Sequence, residues 1–236
     1  VDEPSDDDLM LAYADGDATA FERLYARHQA GLYRFVRRAL GTALAAQVDE
    51  VFQDTWMRVV QSRGRWVAQG SPLASGPVDD DTAAIADGAD EAPPAVGRAR
   101  FRTWLYTVAH HRVVDLWRRS GREVSLEHAE DGAPWEPAVD EAAWQLWPAP
   151  ASGTLPAEDL AFWRRAGQRL LSCLEELPLP QRSTFLLHHD DGLPLEEVAQ
   201  AVGVGFETAK TRLRYAMSKL RTCMGAYLAP RGGHWA

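Results

Sequence analysis

Cysteine is scarce: the 236-residue chain has two, Cys173 and Cys223. Two thiols cannot build the disulfide framework of a small secreted scaffold, so a reducing, cytoplasmic setting is the simplest expectation. Long apolar runs are missing, and none approaches the ~18–20 residues that cross a bilayer. Val1 to Asp8 is acidic and poor in apolar residues, the reverse of a secretory signal. No segment alternates in the manner of a half-buried strand, no glycine-rich phosphate loop follows a strand, and no nucleophile motif appears. The adjacent pairs His110-His111 (with Asp115) and His188-His189 (with Asp190-Asp191) are the nearest approach to a metal or acid–base cluster. Neighbouring histidines on a helix point about 100° apart and do not share a metal as an i, i+4 pair does. Catalysis, a bound metal and a cofactor are therefore not expected.

Positive charge is also in the minority, with 25 Lys and Arg against 34 Asp and Glu and a net charge of −9. The average misleads. Val1–Met10, Leu73–Gly97 and Glu123–Trp163 hold twenty acids and no Lys or Arg, which leaves the rest of the chain at +11. Phe101–Arg122 has five Arg against Asp115 alone, and Val204–Arg231 has six Lys or Arg against Glu207 alone. Screening makes such local charge matter more than the total, so two basic patches on acidic connectors remain able to meet phosphate. The competing reading of each patch is a solvated helix face.

The acidic stretches read as connectors. Val67–Gly97 is rich in Ala, Gly, Pro and Asp, and Glu123–Pro156 carries five prolines, so both are expected to be flexible excursions. Trp135, Trp144 and Trp147 are unusual for a pure linker and suggest that part of the second one docks.

What remains has helical periodicity. Ser5 with Asp8 reads as a helix start before Leu9 and Leu11. After Asp17, Phe21, Leu24, Tyr25, His28, Leu32, Phe35, Val36 and Ala39 recur at three- and four-residue steps until Gly41. A third helix places Val48, Val51, Phe52, Thr55, Trp56, Val59 and Val60 on one face and Asp49, Glu50, Gln53, Asp54 and Arg58 on the other. A fourth runs from Phe101 through Trp104, Leu105, Val108 and Val113 to Leu116. The period returns over Phe162–Leu177 and Gln181–His189. Pro194 then opens a short helix, Leu195–Ala201; Gly203 turns the chain; and a longer helix carries Phe206, Ala209, Leu213, Ala216, Met217 and Leu220. Helix, glycine turn and basic helix is the helix-turn-helix pattern, and Glu207, Lys210, Thr211, Arg214 and Ser218 lie off the apolar stripe, with side chains suited to a major groove.

In their order, these segments resemble the extracytoplasmic-function (ECF) RNA polymerase sigma factors, group IV of the sigma-70 superfamily. The resemblance rests on Asp15-Gly16-Asp17 with Ala20-Phe21, Leu24-Tyr25 and Leu32-Tyr33; on Asp49 to Trp56; on Phe101-Arg102-Thr103-Trp104-Leu105 leading to Asp115–Arg119; and on Leu174–Pro178 through Leu213. It implies an all-α fold of two small helical domains, a four-helix N-terminal domain and a C-terminal helix-turn-helix domain, joined by a long acidic linker. The implied divisions are 5–122 (with an acidic insertion at 66–99), linker 123–161, C-terminal domain 162–228 and tail 229–236.

The resemblance further implies that core RNA polymerase is met by Asp49, Glu50, Gln53, Asp54 and Arg58. It places a melted −10 element on Arg102, Trp104, Tyr106, His110, His111, Arg112, Arg118 and Arg119, where cations beside aromatic rings suit phosphates and unstacked bases. By their spacing, Phe101 and Trp104 also read as core. Duplex −35 DNA falls to Glu207, Thr208, Lys210, Thr211, Arg212 and Arg214. His111 stands where the family usually has Asn, and Gly205 replaces the usual polar cap of the reading helix. An anti-sigma factor is a partner the family often has, although no motif in this chain requires one. The alternative is a helix-turn-helix regulator that never enters polymerase, which would leave the acidic helix and the Phe101–Ala109 helix without a task.

Overall fold

The computed structural model describes residues 3–66, 100–121 and 157–228. Every regular element among them is helical. The expected docking of Trp135, Trp144 and Trp147 and the excursion at 73–97 lie outside the described residues.

Helix α1 (Asp6–Ala14) begins where local chemistry predicts. Ser5 Oγ accepts from the Asp8 backbone amide at 3.2 Å while the Asp8 carboxylate accepts from Ser5 N, so two orphan donors are satisfied reciprocally. Helix α2 (Ala18–Leu40) is capped by Asp17, which accepts from Thr19 N at 2.9 Å, and it stops at Gly41, whose φ of 65° suits a residue without a Cβ. A 3₁₀ segment (Thr42–Gln47) leads into α3 (Val48–Ser62). Helix α4 (Phe101–Arg119) packs on α1, α2 and α3. Leu24, Leu32, Phe35 and Val36 of α2, Val51 and Val59 of α3, and Phe101, Leu105 and Val108 of α4 form the shared core. Trp66 closes one end, with its ring 5.7 Å from Phe101 and 5.5 Å from Trp104 in edge-to-face contact.

The C-terminal domain comprises α5 (Ala157–Glu175), α6 (Leu179–Phe185), a π-helical turn (Leu186–Asp190), α7 (Leu195–Ala201) and α8 (Phe206–Leu228). Helix α5 opens at Ala157, ahead of Phe162, so the end of the expected connector is helical. Pro178 and Pro194 flank the starts of α6 and α7, and Gly203, with φ of 68°, turns α7 into α8.

Two expectations need correction. Cys173 and Cys223 are joined in a disulfide that ties α5 to α8; fifty positions apart in sequence, they meet because these two helices pack together. The low cysteine count is therefore no argument for a reducing compartment. Val60 and Phe206, placed in apolar stripes by their spacing, are each 40% exposed. A stripe gives the direction of a face but not its width, and both residues lie at an edge.

The domains are in contact. Buried Arg182 of α6 donates from Nη1 to Ala39 O at 3.0 Å and from Nη2 to Glu175 O (2.7 Å) and Leu177 O (3.0 Å). One guanidinium thus serves carbonyls at the C-terminal ends of α2 and α5, where backbone acceptors lack helical partners. It also lies over the Trp117 ring of α4 at 5.5 Å. Glu175 reaches across to accept from Thr42 N at 3.1 Å and Thr42 Oγ1 at 2.7 Å.

Candidate functional site

On α3, Asp49, Glu50 and Gln53 are exposed, while Asp54 and Arg58 are half-buried. Tyr33 of α2 donates to Asp49 Oδ1 at 3.1 Å, which orients that carboxylate and raises the tyrosine's own pKa. Met57 (54% exposed) and Val60 follow Gln53 at helical spacing, so the polar face carries an apolar strip. Exposed apolar groups ringed by charge are the composition of a docking surface. Met57 escaped the sequence reading, which sorted this helix into polar and apolar sides.

Helix α4 is buried almost all round from Phe101 to His110. Its first face meets α2 and α3; its second meets α7. Trp104 is core, and its Nε1 has no hydrogen-bond partner among the described residues. Tyr106 is 2% exposed and donates to Asp191 Oδ1 of the C-terminal domain at 2.8 Å. Burial pushes the His110 pKa down to about 3, with His111 and Arg212 adding to the fall, so this imidazole is neutral. Arg102 and Arg112 are half-buried, and His111, Arg118 and Arg119 are exposed. The expected −10 residues thus divide between an open C-terminal half of α4 and a half covered by packing. Apolar and aromatic residues crowd Phe101–Ala109, interrupted only by Arg102, Thr103 and Thr107, and a helix segment apolar on more than one side needs a cover on more than one side.

The start of α4 also receives an acid. Asp7 of α1 accepts from Phe101 N at 2.8 Å, filling the anion-favouring end of the helix. Burial raises the pKa of this carboxyl group.

On α8, Glu207, Thr208, Lys210 and Arg214 are exposed, and Thr211 and Arg212 are half-buried. Burial lowers the Arg212 pKa. Phe206 and Tyr215 join the open face, adding rings that the sequence reading left out of it. A helix that follows a glycine turn and shows cations and small hydroxyls at its N-terminal half has the make-up of a major-groove reader.

The histidine–acid clusters resolve differently. His188 Nδ1 lies 2.9 Å from Leu193 O, Asp190 pairs with Arg38, and Asp191 binds Tyr106. Among the described residues no group of three or more His, Cys, Asp or Glu side chains is placed to hold a metal, and no helix is long and apolar enough to cross a membrane.

Residues 167–220 match the family model described as Sigma-70, region 4. The chain is 25% identical over 220 residues to the ECF RNA polymerase sigma factor SigK of Mycobacterium sp. (strain KMS), covering 93% of this chain and 90% of the relative. It is 26% identical over 219 residues to the protein of that name from Mycobacterium tuberculosis (strain ATCC 25177 / H37Ra), covering 92% of each. Among solved structures, CnrH in complex with the cytosolic domain of CnrY aligns with a TM-score of 0.56 at 20% identity, covering 94% of this chain and 99% of that one. The sigma factor RpoE from Bartonella quintana, in complex with the anti-sigma factor NepR, aligns at 0.50 and 19% identity over 87% and 96%. The structures support the fold, and the sequence matches support the lineage. Over nine-tenths of its length the chain is similar to ECF RNA polymerase sigma factors, and its residues 167–220 match sigma-70 region 4.

Proposed function

We infer that this chain joins core RNA polymerase and directs it to promoters, reading duplex −35 DNA with α8 and a melted −10 element with α4. The carrying observation is the open, cation-bearing face of α8 within the region 4 match: Lys210 and Arg214 beside Thr208 and Thr211. Lys210 and Glu207 lie 3.9 Å apart and exposed, a pairing weak enough to yield to phosphate. Glu207 accepts where a base donates, and half-buried Arg212 lies toward the edge of the face.

On the same reading, the polymerase docks on α3 through Asp49, Glu50, Gln53, Asp54 and Arg58, with Met57 and Val60 providing the apolar centre. Arg102, Tyr106, His110, His111, Arg112, Arg118 and Arg119 serve the −10 strand, those covered by the C-terminal domain doing so after the domains part, while Trp104, packed against Trp66 and Phe101 inside the N-terminal domain, braces the helix. The working divisions are 5–122, 123–161, 162–228 and 229–236. An anti-sigma factor is the further partner, as in the complex of the RpoE neighbour with NepR. The chain binds and positions, while polymerase supplies the chemistry; no catalytic group, cofactor or metal is invoked, and the place of action is the cytoplasm, where polymerase works.

Neither DNA site alone is expected to hold tightly at physiological salt; anchoring both on polymerase raises their effective concentration. The test is reconstituted transcription from genomic fragments, with core polymerase alone, with the chain alone and with both. Discrete start sites only in the combined reaction support the reading. Sequence-specific duplex binding by the chain alone, with no change in initiation, would replace it by the free-standing regulator.

A further inference from the structure

Helix α8 has a narrow chemical inventory. From Phe206 to Leu228 it holds no Asn or Gln, the side chains that pair bidentately with adenine in a major groove. Glu207 is its one acid, against the cations Lys210, Arg212, Arg214, Lys219 and Arg221. An A·T pair facing this helix therefore offers it chiefly the thymine C5-methyl, an apolar group that needs an apolar partner.

Phe206 is that partner by position. It is the first residue of α8 and 40% exposed, and the N-terminal residues of a recognition helix are those that meet base edges. Lys210 and Arg214 follow at i+4 and i+8, both exposed, so ring and cations share one row along the open face. Glu207, its side chain 80% exposed, begins the neighbouring row with Thr211 at i+4. The cations suit phosphate and guanine. A carboxylate suits neither, and in the groove it accepts from the cytosine amino group. The adenine amino group is flanked by the N7 acceptor, which repels a carboxylate, so cytosine is the better match.

The turn ahead of the helix clears the approach. Gly203 and Gly205 flank Val204, and a Cβ built on either glycine would meet nothing within 4 Å beyond its chain neighbours. Gly205 O accepts from Ala209 N at 3.0 Å and so starts the helix, yet brings no side chain to stand before it. A tip free of flanking side chains can lay its backbone close to a surface, which lets the first two side chains of α8 reach base edges.

We propose that Phe206 and Glu207 are specificity-determining residues of α8, Phe206 selecting a thymine through its C5-methyl group and Glu207 a cytosine within two base pairs of it through its amino group. The proposal rests on the assignment of α8 to duplex −35 DNA and adds which bases that helix selects. The ring prefers thymine to cytosine by contact with the methyl that cytosine lacks. The cations beside the pair supply affinity and leave the choice of base to the tip.

The test uses the full chain with core polymerase, on a promoter obtained from the reconstituted transcription, with the base pairs around −35 randomised. Bound duplexes are selected, and the consensus is resynthesised with single thymines replaced by deoxyuridine, which lacks only the methyl. For wild type, one such replacement is expected to weaken binding about fourfold, the worth of one buried methyl. For Phe206→Ala, binding starts weaker and that replacement has no effect. Selection with Glu207→Gln is expected to exchange the nearby cytosine for adenine, which glutamine grips bidentately, changing the ratio of the two bases by about fivefold or more. Such a ratio is not moved by the change in net charge. Both side chains are exposed, so the variants should fold, and the deoxyuridine scan of wild type needs no variant.

A consensus indifferent to deoxyuridine, or an equal penalty in wild type and Phe206→Ala, overturns the role of Phe206. An unchanged base preference in Glu207→Gln overturns the role of Glu207. In either case α8 stands as the reader when Arg214→Ala abolishes the enrichment. If no promoter is found, or no sequence enriches, the −35 assignment falls and this proposal with it.

Discussion

Arg112 of α4 and Asp54 of α3 form an ion pair at 3.0 Å. A side chain assigned to the −10 strand is thereby joined to one assigned to polymerase, at a small hollow that Glu50, Asp115 and Arg119 also line. A partner that claims Asp54 would free Arg112 from this ion pair. Because both groups remain partly exposed, the pair is worth at most about 1 kcal/mol. A double-mutant cycle of Asp54→Ala and Arg112→Ala by urea unfolding is expected to give a coupling of that size or less. Asp54→Ala should weaken polymerase binding in both backgrounds.

Asp191 gives a pH dependence with a definite sign. Burial, reinforced by Asp190, lifts its pKa to about 6, against the opposing effects of the Tyr106 hydrogen bond and of Arg34 and Arg102. The folded chain then holds this proton more firmly than the unfolded chain, whose carboxyl group titrates near ~3.9. The contribution of Asp191 to stability is greatest below the unfolded value and is lost as pH rises toward 6. His110, lowered to about 3, and His189, lowered to about 4, act oppositely: their contribution is present above ~6.5 and lost as pH falls. The measurement is therefore a difference. Urea unfolding of wild type minus Asp191→Asn, from pH 4 to 7.5, is expected to fall with rising pH and level off above 6. A flat difference would remove Asp191 from the interface account.

Gly31→Ala tests the fit of the contact. The added methyl meets Tyr106 Oη at 2.9 Å while the helix gains the propensity of alanine, worth ~1 kcal/mol. Overpacking costs ~1–3 kcal/mol, so a net loss of about 1 kcal/mol is expected by chemical denaturation. Tyr106→Phe removes the obstructing oxygen, and the pair should be clearly non-additive, with Gly31→Ala costing less in the Phe background. Strict additivity would show that Gly31 does not bear on Tyr106.

The disulfide makes heat tolerance depend on oxidation. Closing the loop between Cys173 and Cys223, fifty positions apart, restricts the unfolded chain by about 4 kcal/mol on a chain-entropy basis. Calorimetry with and without dithiothreitol should show a lower melting temperature for the reduced protein. Cys223→Ser should melt like the reduced protein and be insensitive to the reagent.

Local features of the fold were legible. The Ser5–Asp8 box, the Asp17 cap and the glycines that end α2 and turn α7 into α8 act through neighbours in sequence, and the structure has each of them. The stripe from Phe101 through Val108 to Leu116 gives one buried face of α4 but not the second cover, which encloses Tyr106 and His110. Tyr106 and Asp191 are 85 positions apart, and nothing in the residues near either one names the other. The pairing of Cys173 with Cys223 is illegible for the same reason, since counting thiols says nothing about which helices bring them together. Val60 and Phe206 show the limit of periodicity: 100° per residue fixes a direction, whereas exposure depends on how wide the neighbouring helix is.

The π turn at Leu186–Asp190 makes register, rather than residue type, the vulnerable property of this segment. Such a turn carries more backbone per revolution than an α-helix. Excising His189 alone would let the strand of hydrogen bonds revert to ordinary α spacing and swing both aspartates round the axis, with every acid still present and neither pointing at Arg38 or Tyr106.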